Sequence, residues 1–156
     1  LSFTHKQANK ENFLKHAPQA RVIHLAAHFH QHYIPNLTGL VFSNQEKLYL
    51  NEAYHLDLKA ELVVLSACES AIGEMYKSEG MMAINRGLLY SGAQNIISTL
   101  MEVNDHTSAE LMAYFYQFFK DESKINVCLA KAKRKMLENN PNLPPLAWAP
   151  FVLIGD

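Results

Sequence analysis

The stretch Leu62-Val63-Val64-Leu65-Ser66-Ala67, followed by Cys68, decides the fold class. It is an almost unbroken apolar run rich in β-branched residues, which is typical of a strand buried on both faces of a parallel sheet. Similar runs occupy residues 21–27 and 95–100, and helical patterns occur along the same chain. Strands that alternate with helices indicate βαβ units. We therefore predict one three-layer α/β domain over residues 1–156, with a mostly parallel sheet covered by helices on both faces.

The remaining segments fit this layout. Asn9 is a candidate N-cap for a short first helix, Gly92 is a candidate stop for a helix over 78–91, and the capping box at 107–110 predicts a further helix start. Other predicted elements are a strand pair at 40–42 and 48–50, a helix over 124–138 and a final strand at 151–154. The chain begins with Leu1 rather than Met, so we expect a fragment that lacks one or more N-terminal strands.

Composition excludes several classes of protein. Leu, Ile, Val and Phe make up 43 of 156 residues, enough for a hydrophobic core. A net charge of −1 argues against nucleic acid or an anionic membrane as partner, and no apolar run is long enough to span a bilayer. Two cysteines cannot build a disulfide scaffold, so we expect a reducing, cytoplasmic location.

Reactive residues stand at the ends of two predicted strands. His28 follows the run 21–27, and Cys68 follows the run 62–67. If these strands are parallel neighbours, the two residues emerge at the same sheet edge, as a cysteine nucleophile with an imidazole partner requires. The competing interpretation of Cys68 is a small buried residue at a strand end. For Cys128, which lies on an apolar helix face, we predict a role in core packing.

Other polar residues allow alternatives. His28, His30 and His32 would face one side of an extended strand and could form a zinc site, although no nearby carboxylate or thiol completes it; we predict no metal or other cofactor. His24 is expected to be a core histidine. Glu102 and Asp105 follow the strand at 95–100 and are candidates either for substrate contact or for helix capping. The basic run 131–135 is interpreted as the solvated face of a helix.

Several motifs together resemble the CHAT domain, a caspase-like module of the clan that includes caspases, clostripain and separase. His24-Leu25-Ala26-Ala27-His28 is similar to the family motif HLATHG, and residues 64–74 are similar to VLSACETGLGE. Supporting motifs lie at 90–93, 103–105 and 148–153, so that the resemblance covers nearly the whole chain.

The resemblance implies a catalytic dyad of His28 and Cys68, peptide-bond hydrolysis through a thioester, and an oxyanion hole formed by the backbone N–H groups of Phe29 and Cys68. Clostripain and separase prefer a basic residue before the scissile bond, which implies Asp105, and also Glu102, as substrate contacts. The family also commonly follows tetratricopeptide repeats, so the expected partners are a protein or peptide substrate and upstream repeats.

The chain departs from the family at Phe29, where a glycine is usual. A bulky residue there is expected to hinder the oxyanion hole, so that Phe29→Gly should raise activity. This departure supports a second hypothesis, a catalytically weak or inactive domain that serves as an interaction module. A metal-dependent hydrolase that uses His28, His30 and His32 is the third.

Overall fold

A computed structural model describes residues 2–30, 32, 37–66, 68–70, 77–101, 103–121 and 124–155, with the backbone alone at 68–70 and 77–79. The motif residues 71–76 lie outside this part of the chain. The elements in chain order are α1 (Lys10–His16), β1 (Val22–Leu25), β2 (His28–His30), β3 (Gly39–Val41), β4 (Lys47–Tyr49), α2 (Leu50–Ala53), β5 (Leu62–Leu65), β6 (Cys68–Ser70), α3 (Lys77–Tyr90), β7 (Asn95–Thr99), α4 (Asp105–Phe119), α5 (Ile125–Asn139) and β8 (Phe151–Gly155).

The main sheet has the strand order β1-β5-β7-β8. The first three strands are parallel, and β8 joins the edge antiparallel to β7. All four residues of β5 and all five of β7 are buried, as expected for strands covered on both faces. The run is continuously apolar only in β5, because β7 also carries Asn95, Ser98 and Thr99. The predicted α/β class with a mostly parallel sheet is confirmed.

A second, smaller sheet has the order β4-β3-β2-β6, with β2 and β6 parallel and the other pairs antiparallel. The sequence predicted the β3–β4 pair but did not predict a separate strand directly after the run 21–27. That run forms a strand only as far as Leu25, and the chain then crosses into the smaller sheet, where it forms a separate strand from His28.

Two hydrophobic clusters make the layers on either side of the main sheet. Alternate residues of β5 point to opposite clusters: Val63 and Leu65 pack with α3 and with the smaller sheet, and Leu62 and Val64 pack with α4 and α5. This alternation is the period of two that every strand has. The predicted three layers are therefore present, with the smaller sheet contributing to one of them.

Local signals explain where most helices begin and end. The Asn9 side chain accepts a hydrogen bond from the N–H of Asn12 and caps α1, as predicted. Gly92 lies just after the end of α3. Its φ of 108° is a left-handed conformation that favours glycine, and a Cβ there would collide with the carbonyl of Leu58.

The prediction for the start of α4 was wrong. The helix begins at Asp105, two residues before the capping box, and its N-cap is Asn104, whose side-chain oxygen accepts from the N–H groups of His106 (2.9 Å) and Thr107 (3.4 Å). Asn is as good an N-cap as Ser or Asp and better than Thr, because its short side chain reaches the first free N–H groups. This shift of two residues places Asp105 inside the first turn.

Two expectations about α5 are settled by its packing. Cys128 is fully buried among apolar residues, which confirms its structural role. The basic run is not simply a solvated face, because the ammonium of Lys133 donates to the carbonyl oxygen of Phe151 at 2.6 Å and lies 5.9 Å from the centre of the Trp148 ring. Among the described helices, none has the length and apolarity needed to cross a membrane.

Candidate functional site

His28 and Cys68 occupy paired positions on two neighbouring parallel strands, β2 and β6. Strands β1 and β5 pair with a constant offset of 40 residues, from Val22 with Leu62 to Leu25 with Leu65. The offset is still 40 where His28 pairs with Cys68, because the connection from β1 to β2 has as many residues as the connection from β5 to β6. Neighbouring strands are about 4.8 Å apart, so the two backbones are adjacent.

His28 lines a concavity of about 340 Å³. Its walls come from the residues around the ends of β1 and β5 and from the beginning of α4. The lining residues are His24, Ala26, Ala27, His28, Ser66, Val103, Asp105, Ser108, Ala109 and Met112. The exposed position of His28 leaves its side chain accessible from solvent.

One face of α4 forms the wall opposite the strands. Asp105, Ser108, Ala109 and Met112 recur at the three- and four-residue spacing of a helix face, and Tyr116 continues the same face one turn later. The buried face of α4, with Leu111 and Phe115, is turned toward the core. The helix therefore uses one side for packing and a neighbouring side for the concavity.

Asp105 places a carboxylate in the concavity. The capping interpretation for this residue is wrong, because Asn104 supplies the cap. Asp105 is exposed and makes no hydrogen bond or ion pair with the described residues around it. The other acidic candidate, Glu102, lies outside the described residues.

His24 is hydrogen-bonded through both ring nitrogens. Its Nε2 lies 3.1 Å from Ser66 Oγ, and its Nδ1 lies 2.9 Å from the hydroxyl of Tyr116. The strands and α4 beside the ring shield it partly from water, and this desolvation lowers the pKa of His24 below its usual value of 6.5. Burial also raises the pKa of Tyr116 to about 12, so that this hydroxyl keeps its proton.

His24 is the residue that sequence reasoning placed wrongly. We expected a histidine satisfied within the core, whereas its ring lines the concavity. Ser66 and Tyr116 were not predicted as site residues at all. For Tyr116 one signal was available: residues 105, 108, 109, 112 and 116 share one face of a helix. This face is recognisable only when α4 is known to start at Asp105.

The side chain of Phe29 is fully buried and belongs to the core cluster under the smaller sheet. The ring is packed in the interior, so its bulk does not enter the concavity, and the expected hindrance of the oxyanion hole stays a prediction. Its backbone lies beside His28 and pairs with Leu40 and Glu69. The structure leaves only the backbone of Phe29 as a candidate for substrate contact.

The histidines expected for the metal hypothesis do not form a metal centre in the described part of the chain. The rings of His30 and His32 have centroids 6.3 Å apart, but no group of three His, Cys, Asp or Glu side chains among the described residues could hold an ion. His28 instead belongs to the concavity.

Comparison with known proteins agrees with this architecture. The family model for the CHAT domain matches residues 2–156. Tetratricopeptide repeat protein 28 of Mus musculus is 32% identical over 112 residues, which are 70% of this chain and 4% of that protein. The Homo sapiens protein of the same name is 29% identical over 113 residues, 71% of this chain and 4% of its own length. The chain belongs to the CHAT domain family, which is related to the caspase-like peptidases.

Proposed function

We propose that this domain is a cysteine endopeptidase in which Cys68 is the nucleophile and His28 transfers the proton. The observation that carries the proposal is the pairing of these two residues on neighbouring parallel strands, with His28 at the wall of the concavity. A nucleophile and its proton carrier must stand side by side, and this register brings together two residues that are 40 positions apart.

The chemistry follows from the two side chains. The Cys68 thiolate attacks the carbonyl carbon of the scissile peptide bond, and the imidazolium of His28 gives its proton to the nitrogen of the leaving amine. The product of this step is a thioester between Cys68 and the acyl part of the substrate. Water, deprotonated by the now neutral His28, hydrolyses the thioester and releases a carboxylate and the free thiol.

The negative charge that develops on the carbonyl oxygen needs hydrogen-bond donors in fixed positions. We assign this role to the backbone N–H groups of Cys68 and Phe29. Burial of the Phe29 ring supports the assignment, because a side chain locked in the core holds its own backbone in place. The aromatic residue in place of the family glycine is then compatible with activity.

We further propose that the substrate places an Arg or Lys side chain in the concavity. Asp105 lies on its wall with an exposed carboxylate, and a carboxylate matches the planar guanidinium through two parallel hydrogen bonds. Part of the lining, including Ala26, Ala109 and Met112, is small or apolar and suits the aliphatic stem of such a side chain.

Replacing Asp105 by asparagine tests this preference. A hydrogen bond to a charged group is worth about 1.5–3 kcal/mol, so we expect kcat/KM for peptides cleaved after Arg to fall by roughly 10- to 100-fold. The effect on peptides with a neutral side chain at that position is expected to be small. A panel of fluorogenic peptides that differ only in this residue measures both.

Asp121→Asn is the matched control, because Asp121 lies beyond the other end of α4, about 24 Å away along the helix axis. It removes the same charge without touching the concavity and should leave the panel unchanged. An Asp105→Asn enzyme with an intact Arg preference, or a parent enzyme that prefers acidic or small residues, would contradict the proposed substrate class.

The most direct test of the proposed nucleophile is labelling by a peptide-like electrophile directed at thiols. Native protein should be labelled at Cys68 and not at Cys128, because Cys128 is fully buried and serves as an internal control. Labelling of neither cysteine would instead favour an inactive interaction module. Mass spectrometry after digestion assigns the modified residue.

We also propose that tetratricopeptide repeats precede the domain in the full-length protein and recruit the protein that is cleaved. The support is the similarity to two proteins named for such repeats, of which the matched segment is only 4%. A reducing, cytoplasmic compartment fits a mechanism that depends on a free thiolate.

A further inference from the structure

The hydrogen-bonded chain Ser66–His24–Tyr116 is a feature that the proposed peptidase mechanism does not use. It joins the end of β5, the middle of β1 and the third turn of α4, with contacts of 3.1 and 2.9 Å. Two of its members, His24 and Ser66, line the concavity, and Tyr116 is bonded to His24. The rings of His24 and Tyr116 also pack together, with centroids 5.7 Å apart.

A neutral imidazole has one donor and one acceptor, so the chain can exist in two orders. In the first, Tyr116 donates to Nδ1, Nε2–H donates to Ser66 Oγ, and the Ser66 proton points to another group. In the second, Nδ1–H donates to Tyr116, and Ser66 donates to Nε2. The second order leaves the lone pairs of Ser66 Oγ available to a ligand in the concavity.

We propose, as an extension that rests on the proposed preference for Arg or Lys, that Ser66, oriented by His24, is a specificity-determining acceptor for the cationic side chain of the substrate. A guanidinium or ammonium group carries only donors, so it selects the order in which Ser66 accepts from the ligand and donates to His24. Asp105 supplies the opposing charge on the α4 wall, and the chain supplies an uncharged acceptor near the ends of β1 and β5.

Protonation of His24 weakens this acceptor. A protonated ring donates from both nitrogens, so Ser66 must accept from Nε2, which occupies one of the two lone pairs of Oγ, and must turn its own proton elsewhere. The concavity then carries an additional positive charge that repels Arg and Lys. The groups facing His24 are Ser66 from β5 and Tyr116 from α4; the charged or titratable groups on the same concavity are His28 and Asp105.

This arrangement has a definite pH dependence. Desolvation lowers the pKa of His24, so the ring is neutral at pH 7 and gains its proton at a lower pH than an unperturbed histidine does. The preference for a cationic side chain is therefore present at neutral pH and is lost on acidification. His28 also lines the concavity, which makes replacement of His24 the deciding variant.

The experiment compares two peptides that differ only in Arg or citrulline at the cleavage position. Citrulline has nearly the same shape as Arg but no charge. Binding is measured by fluorescence anisotropy between pH 5 and 8 with the Cys68→Ala protein, so that no cleavage occurs. For this parent we expect at least about a 10-fold preference for Arg at pH 8, corresponding to one good charged hydrogen bond, and little preference at pH 5.

Two further variants in the same background separate the contributions. His24→Gln should show a ratio of the two affinities that does not change with pH. Ser66→Ala, a small change at the end of β5, should lower the Arg preference by roughly 10-fold at pH 8. His55→Gln is the matched control, because His55 is an exposed histidine that bonds the carbonyl of Asn51 and does not line the concavity.

A His24→Gln protein that keeps the pH dependence of the parent overturns this inference, as does a Ser66→Ala protein with an unchanged preference. If the ratio of the affinities for the Arg and citrulline peptides is constant from pH 5 to 8 in the parent, this inference is overturned as well, while the proposed substrate class stays intact. If neither peptide binds the parent at any pH, the substrate class and this inference fail together. Thermal unfolding of each variant confirms that it is folded.

Discussion

Replacing Cys68 by alanine is expected to abolish peptide cleavage, with a fall in kcat on the order of 10⁴-fold or more. Without the sulfur no thioester can form, and the paired position of His28 on β2 has no nucleophile to serve. The free energy of unfolding should change little, because alanine fits the same space. Single-turnover cleavage and urea unfolding of the same preparation measure the two quantities.

Cys128→Ala is the matched control for this loss. Cys128 lies in the core between α4 and α5, so its replacement should lower stability while activity is retained. Unaltered cleavage by Cys68→Ala would remove Cys68 from the mechanism. A marked loss of stability in Cys68→Ala would instead show that the residue serves packing.

The alkylation rate of Cys68 provides an independent measurement. If His28 stabilises the thiolate, the rate should follow an apparent pKa below the value of about 8.5 that a free thiol has. In a His28→Ala protein the curve should move toward that value. A parent protein whose thiol titrates like free cysteine would contradict the pairing as a functional one.

Replacing Phe29 by glycine is expected to destabilise the domain by about 4 kcal/mol or more. The side chain is fully buried, removal of a buried Phe ring costs about 3–5 kcal/mol, and glycine within a strand adds about 0.5–1 kcal/mol. A typical domain has only 5–15 kcal/mol of stability, so much of the protein would be unfolded. The midpoint of urea unfolding measures the loss.

This outcome is the opposite of the gain in activity that the family glycine suggested. The matched comparison is Phe29→Ala with Phe3→Ala, because Phe3 is only half-buried near the N-terminus and packs on the ring of His16. The first should cost several times more than the second. A Phe29→Gly protein that is both more active and equally stable would restore the steric explanation.

Most of the main sheet could be predicted because its signals are local. A strand buried on both faces is mostly apolar, and residues 62–65 are recognisable for that reason, as is the Ile96-Ile97 centre of the strand at 95–99. The same holds for the Asn9 cap and for Gly92, which satisfy conditions set by a few neighbouring residues. His28 and Cys68 could be named because each follows a largely apolar run of sequence.

The start of α4 shows where local signals compete. Asn104 and Thr107 are both acceptable caps, and the sequence favoured the second because of its capping box. The structure uses Asn104, so the helix begins two residues earlier. The intrinsic preference for a cap residue favours Asn104 and the capping box favours Thr107, so a short window of sequence does not decide between them.

Sequence patterns alone identify the main buried strands, the reactive residues that follow them and the 40 positions between His28 and Cys68. The pairing of the strands is what puts these two residues in register. Tertiary packing also takes the chain out of the main sheet after Leu25 and turns Phe29 into the core. It also decided that His24 meets Tyr116, 92 residues later. The physical reason is range: burial patterns and caps act between near neighbours, whereas the surroundings of a side chain depend on which distant element packs against it.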